Sequence, residues 1–151
     1  MNFKKKLVYI GVFLTEQSQK HLLKQCKPRY NNIYADHVTL WFILGQDDDF
    51  SDKYHGLIGM EVLFKAVREI YNGKCQTIIL SHIEHLMAYR SVGRRAHITL
   101  SSIVGVEPYY SNELIESDYQ TRVSSDYDDF TIKSNDLDIV LEGTIEGKVK
   151  K

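Results

Sequence analysis

Residues 34–42 read YADHVTLWF, and residues 94–102 read RRAHITLSS. Each holds a His-x-Thr-Leu tetrapeptide with a β-branched residue at x. Side chains alternate faces along a strand. As a strand, the first stretch puts His37, Thr39 and Trp41 on one face and Val38, Leu40 and Phe42 on the other. The second puts His97, Thr99 and Ser101 on one face, opposite Ile98 and Leu100. Each strand then buries an aliphatic row and displays a His beside a Thr, about 6.6 Å apart at twice the rise per residue. That spacing lets both groups reach one tetrahedral phosphate.

Working outward, Lys5–Leu14 is a short apolar run rich in β-branched and aromatic residues, which predicts a buried strand. Thr15 then caps a helix through TEQSQKHLLKQCK, with Leu22, Leu23 and Cys26 as its buried stripe and Pro28 as its stop. Asn32–Leu44 is the second strand, followed by a polar turn over Gly45–Asp52. Gly59–Tyr71 also fits a helical face, but Asn72–Gly73 followed by KCQTIIL favours a β-hairpin. Ile83–Arg95 reads as irregular with a short helix, and Ala96–Ile103 as a strand. Ser111–Ile115 opens a short helix capped by Ser111 or Asn112. Leu137–Gly147 alternates Leu137, Ile139 and Leu141 inward and is a late strand. Many strands and few helices define an α+β domain spanning 1–151, with the two tetrapeptides hinting at two related lobes.

The chain has 151 residues, with 19 Lys plus Arg against 20 Asp plus Glu and a net charge of −1. That balance gives no general attraction to duplex nucleic acid, although a local basic patch would suffice for a nucleotide. No secretory segment and no membrane span is expected, and the reading is a cytoplasmic protein with Cys26 and Cys75 as free, inert thiols.

If both motif strands face one cleft, two imidazoles and two hydroxyls surround one anion. A neutral His takes a proton from the attacking hydroxyl, and a protonated His gives one to the leaving oxygen. The Thr hydroxyls donate to the non-bridging oxygens. No metal or other cofactor is required. His82 and His85 lack a completing carboxylate or thiolate, and Asp47–Asp49 lacks EF-hand spacing, so neither predicts a metal site. Arg94 and Arg95 stand where a guanidinium could grip a phosphate. Tyr9 could stack on a base, and Trp41 could wall the cleft.

Paired H-x-T-hydrophobic motifs on two strands resemble the 2H phosphoesterase superfamily. Its members include the cyclic phosphodiesterases of tRNA ligases, the 2′-5′ RNA ligase-like proteins and viral enzymes that destroy cyclic nucleotide signals. YIGVFLTEQSQKHLL, NNIYADHVTLWF and HITLSSIVGVEPYYSNELI are similar to its cyclic phosphodiesterase branch, over roughly Leu7–Ile115. The stretch ESDYQTRVSSDYDDF carries no such likeness. The resemblance implies a bilobal fold with two antiparallel sheets flanking a central cleft. It makes His37 and His97 the catalytic pair and Thr39 and Thr99 their phosphate-binding partners, with the base and acid roles open. It implies metal-independent cleavage of a nucleotide phosphodiester. The first choice of substrate is a cyclic di- or oligonucleotide such as 2′,3′-cyclic GMP-AMP, an immune-evasion role in host cytosol if the source is viral. The alternatives are a 2′,3′-cyclic phosphate on RNA ends or small nucleotides, and a nucleotide-binding module without turnover. Oligomeric state is not legible.

Overall fold

A computed structural model describes residues 7–42, 56–81, 96–124, 126 and 129–149, with the backbone alone for 7–9, 39–42 and 148–149. In chain order the elements are β1 (Leu7–Leu14), α1 (Glu16–Gln25), β2 (Asn32–Ile33), β3 (His37–Phe42), β4 (Glu61–Tyr71), β5 (Cys75–Leu80), β6 (His97–Ser102), α2 (Tyr110–Val123) and β7 (Lys133–Val149). The strands pair in the order β2-β6-β5-β4-β7-β1-β3, with every pairing antiparallel. Among the described residues, two helices on an antiparallel sheet match the α+β expectation. The two separate sheets do not appear among the described strands, which share one hydrogen-bonded sheet. β4 and β7 lie at its middle. β5 then β6 extend from one side, and β1 then β3 from the other.

The two outer ends of this sheet curl toward each other. Residues of β3 and β6 approach with Cα atoms within 8 Å, although no ladder joins them. The connecting chain explains how. β2 pairs with the end of β6, and Tyr34 N–H and Ala35 N–H still donate to Leu100 and Thr99 carbonyls, at 2.8 and 3.0 Å. The next carbonyl, that of Asp36, already accepts from Leu14 N–H of β1 at 2.9 Å. The strand expected over Asn32–Leu44 is therefore two strands on opposite sheet edges, with the switch at Ala35–Asp36. Ala35 takes a left-handed conformation there, φ 48°. A side chain at such a φ costs roughly 1–2 kcal/mol. The switch overrides strand propensity because only it lets one segment satisfy both edges.

Inside the curl lies the main core: Ile10 and Val12 of β1, Leu22 and Cys26 from α1 and its end, Val38, Phe64, Ala66, Ile78, Leu80, Ile98, Leu100, Ile139, Leu141 and Ile145. Burying each large aliphatic contributes about 1.5–3 kcal/mol. The α1 start is as read from sequence, with Thr15 Oγ1 accepting from Ser18 N–H at 3.1 Å. The hairpin at Asn72–Gly73 is also present, Gly73 supplying φ +91°.

The opposite face of β4 and β5 carries a second, smaller core, Ile70, Cys75, Ile79 and Leu114, covered by α2. This helix has 14 residues, well beyond the short one expected. Its buried face holds Ser111, Leu114 and Asp118, and Asp118 pairs with Arg68 at 2.8 Å and Arg122 at 3.4 Å. A polar buried face leaves no apolar stripe to read. Neither Ser111 nor Asn112 caps the helix; the cap position is Tyr109, without a side-chain capping bond. β7 likewise begins at Lys133, ahead of the expected Leu137, because Lys133–Asp136 pair with Tyr71–Arg68 of β4 despite lacking apolar alternation.

Candidate functional site at the β3–β6 seam

Both tetrapeptides open a strand, β3 at His37 and β6 at His97. β3 pairs with β1 through Phe13↔His37, Val12↔Val38 and Gly11↔Thr39, then resumes at Ile10↔Trp41. β6 pairs with β5 through Ile79↔His97, Ile78↔Ile98 and Thr77↔Thr99, then resumes at Gln76↔Ser101. In each case the motif Leu, Leu40 or Leu100, is the extra residue of a β-bulge. Bulges bend a strand and re-aim the residues beside them, and they are common next to active sites. The two copies thus share a backbone irregularity as well as letters.

The seam brings β3 and β6 together. Two residues beyond the Ala35–Thr99 link, the chains reach His37 on one side and His97 on the other. Val38 and Ile98, both 0% exposed, fill the interior. By alternation, His37 and His97 fall on the face away from that core. Gly11 permits the close β1–β3 contact: a Cβ there would stand 2.7 Å from the Val38 carbonyl oxygen.

His37 is held from two directions. Its Nδ1 lies 2.8 Å from Asp36 Oδ1, and its ring stacks on Phe13 with centroids 5.1 Å apart and planes 18° from parallel. Its side chain is 27% exposed. His97 is half-buried. Thr99 Oγ1 donates to the Pro108 carbonyl at 3.1 Å and shares a 2.7 Å bond with Ser111 Oγ of α2. Ser111 Oγ in turn lies 2.6 Å from Thr77 Oγ1 and 3.5 Å from Cys75 Sγ. A run of hydroxyls thus extends from Thr99 under the helix start. For Thr99 to donate to a phosphate, its proton must turn away from Pro108.

The bulge at Leu100 separates Ser101 from the histidine face. Thr77 reaches the same Ser111 as Thr99, whereas its neighbour Gln76 points oppositely and accepts from Ser101 Oγ at 2.6 Å. The simple alternation placing Ser101 beside His97 and Thr99 is therefore wrong. The bulge at Leu40 interrupts the same pattern between Thr39 and Trp41. For Tyr9, Thr39 and Trp41 the backbone gives position only: Tyr9 opposite Phe42, Thr39 opposite Gly11, Trp41 opposite Ile10. His82, His85, Arg94 and Arg95 lie outside the described residues, as do Asp47–Asp49.

Below Ser101 sits a buried carboxylate, Glu69, 3% exposed. Burial alone would raise its pKa. Bonds from Arg29, Asn135 and Gln76 outweigh that and hold the carboxyl below the usual range. This cluster ties the chain after α1 to β4, β5 and β7. Cys26 and Cys75 are both free and buried, and burial pushes the Cys26 thiol up to about 11, which keeps it unreactive. Among the described residues no group of three or more His, Cys, Asp or Glu could hold a metal. No helix among them is long and apolar enough to cross a membrane.

The contacts of Asp36, Phe13 and Ser111 with the two motifs are not in the sequence reading. Asp36 had a visible signal, a carboxylate directly before the motif His. Ser111 reads from sequence as a cap, and its contact with Thr99 depends on where α2 lands.

No protein-family model matches this chain. No curated protein matches it either. Among solved structures, it is similar to a crystal structure of a fungal RNA kinase, with a TM-score of 0.61 at 15% identity. That superposition covers 97% of this chain and 47% of the other, so the chain spans about half the length of that neighbour. The likeness is one of fold.

Proposed function

We propose that this chain is a 2H-type phosphodiesterase of nucleotides or RNA, with its reaction centre at the β3–β6 seam. The observation that carries the reading is the twin bulge. Two His-x-Thr-Leu strands, each with Leu as the extra residue, approach each other where the sheet edges meet. A structural role alone gives no reason for the copies to share both letters and backbone. In this reading 1–151 is one unit, and the seam takes the part of the cleft between two lobes. His37 and His97 move the protons, and Thr39 and Thr99 hold the phosphate. Trp41, Tyr9, Arg94 and Arg95 are candidates to contact base or phosphate.

The substrate favoured is a 2′,3′-cyclic phosphate at an RNA end. Support comes from the fold neighbour, an RNA kinase chain of which this chain covers 47%. RNA end-healing 2H members resemble such an arrangement, standing beside kinase domains. The cyclic dinucleotide 2′,3′-cyclic GMP-AMP, the first choice on sequence, is the second arm of the test. Both substrates, with EDTA present, are incubated with the chain and its His37→Ala and His97→Ala variants. Each variant should lose roughly 10²- to 10⁴-fold in turnover of whichever substrate is cleaved. Binding of either nucleotide without product would establish a binding module instead. Activity that needs an added metal would overturn the mechanism.

A further inference from the structure

We propose that Asp36 is a positioning residue: its carboxylate fixes the neutral His37 ring with the proton on Nδ1, so that Nε2 is the proton-accepting atom and His37 is the base of the pair. This rests on the phosphodiesterase reading. An ionised carboxylate only accepts hydrogen bonds, so a 2.8 Å contact with Nδ1 requires the imidazole to donate there. A second contact fixes the ring plane, the Phe13 stack at 5.1 Å. A third feature aims both residues. The left-handed Ala35, buried at 0% exposure, turns the chain out of the β6 edge directly before Asp36. Strained conformations of this kind persist where surrounding structure enforces them, and they cluster at functional sites.

The choice of base follows from chemistry. A protonated imidazole carries protons on both nitrogens and needs no tautomer selected. A neutral one has a single proton, and only the Nδ1–H form leaves Nε2 able to accept. A fixed carboxylate partner therefore serves the histidine that begins the cycle neutral. His37 Nε2 takes a proton from water as the water oxygen bonds to phosphorus. The bond from phosphorus to the leaving oxygen breaks, and that oxygen takes a proton from His97. His37 ends protonated and His97 neutral, and exchange with solvent restores both.

Two measurements on the full chain test this. Long-range ¹H–¹⁵N NMR of the neutral His37 ring should show the Nδ1–H tautomer. Asp36→Ala should move it toward the Nε2–H form that free histidine favours in water. An Nε2–H ring in the parent chain, or no change in the variant, overturns the proposal whether or not the chain is an enzyme. In kinetics, Asp36→Ala should lower kcat roughly ten- to a hundredfold, as misplacement of a reacting group does, with KM little changed. On a nucleoside p-nitrophenyl phosphodiester the leaving group needs no proton. There the loss from His97→Ala should shrink at least tenfold relative to the RNA-end substrate, while that from His37→Ala persists. The reverse pattern would make His37 the acid and overturn the assignment. Failure of the parent chain to turn over either substrate refutes the phosphodiesterase reading and with it the role of base, leaving the NMR to decide the Asp36–His37 coupling alone.

Discussion

The β3 and β6 tetrapeptides share three of four letters and the same bulge, yet they live in different surroundings. β6 is an inner strand, paired with β5 along one side and β2 along part of the other. Its Ile98, Leu100, Ser101 and Ser102 are all 0% exposed, and its Thr99 is bonded into α2. Among the described strands β3 is paired along β1 alone, and its His37 meets a carboxylate and an aromatic ring from its own side of the seam. The copies therefore present similar chemistry from unequal supports. One histidine strand is anchored by the core and a helix. The other is an edge, placed by Gly11, Phe13 and the turn at Ala35.

Substitutions can break or sharpen that contrast. The largest effect should come from Leu100→Ala, which empties a fully buried bulge position and should cost about 2–5 kcal/mol, read by denaturant unfolding. A cost below 1 kcal/mol would mean that β6 is no better anchored than β3. Next is Gly11→Ala. Its Cβ would press on the Val38 carbonyl at 2.7 Å and push β3 off β1, for about 1–3 kcal/mol. Activity should fall more than stability explains, because His37 moves with β3. Thr99→Val should cost about 1–3 kcal/mol, since Pro108 loses its donor and Ser111 a partner. Thr99→Ser should restore most of that, which valine, of similar shape, cannot.

A smaller effect is expected from acid. The carboxyl of Glu69 has a lowered pKa in the folded chain, so its contribution is fully present above the ordinary carboxylate value and is lost as pH falls through the folded one. Stability should therefore drop on acidification below about pH 4, and less steeply in Glu69→Gln. Gln76 links that carboxylate to Ser101, so hydrogen exchange should rise first at the Ser101 end of β6. Earlier loosening of β3 would contradict the inequality.

The same inequality explains what could be read in advance. α1 was legible because Thr15, Leu22 and Cys26 sit at capping and stripe positions. The hairpin was legible because Asn72–Gly73 is a turn pair. α2 hid most of its length because its buried face is polar, with Asp118 neutralised by Arg68 and Arg122. The break at Ala35 hid because YADHVTLWF has the composition of one strand. Only the demand of two distant edges divides it. For the site, the residue types at His37 and His97 carried the message. Their supports did not, apart from Asp36, because Phe13, Ser111 and Thr77 reach the motifs only through strand order and helix docking.

The peptide link between Ala35 and Asp36 has a consequence for how the seam holds together. Upstream of it, the backbone of residues 32–35 bonds to β6, and downstream, the Asp36 carbonyl and the β3 backbone bond to β1. A cut at that single link would leave every strand pairing intact. It would sever the shortest covalent link between the two outer strands, leaving the route from β1 through α1 to β2 and the shared core around Val38 and Ile98 to hold them. The molecule is built like a bound book with β4 and β7 as its spine, and the Ala35–Asp36 link is a clasp across its open edge.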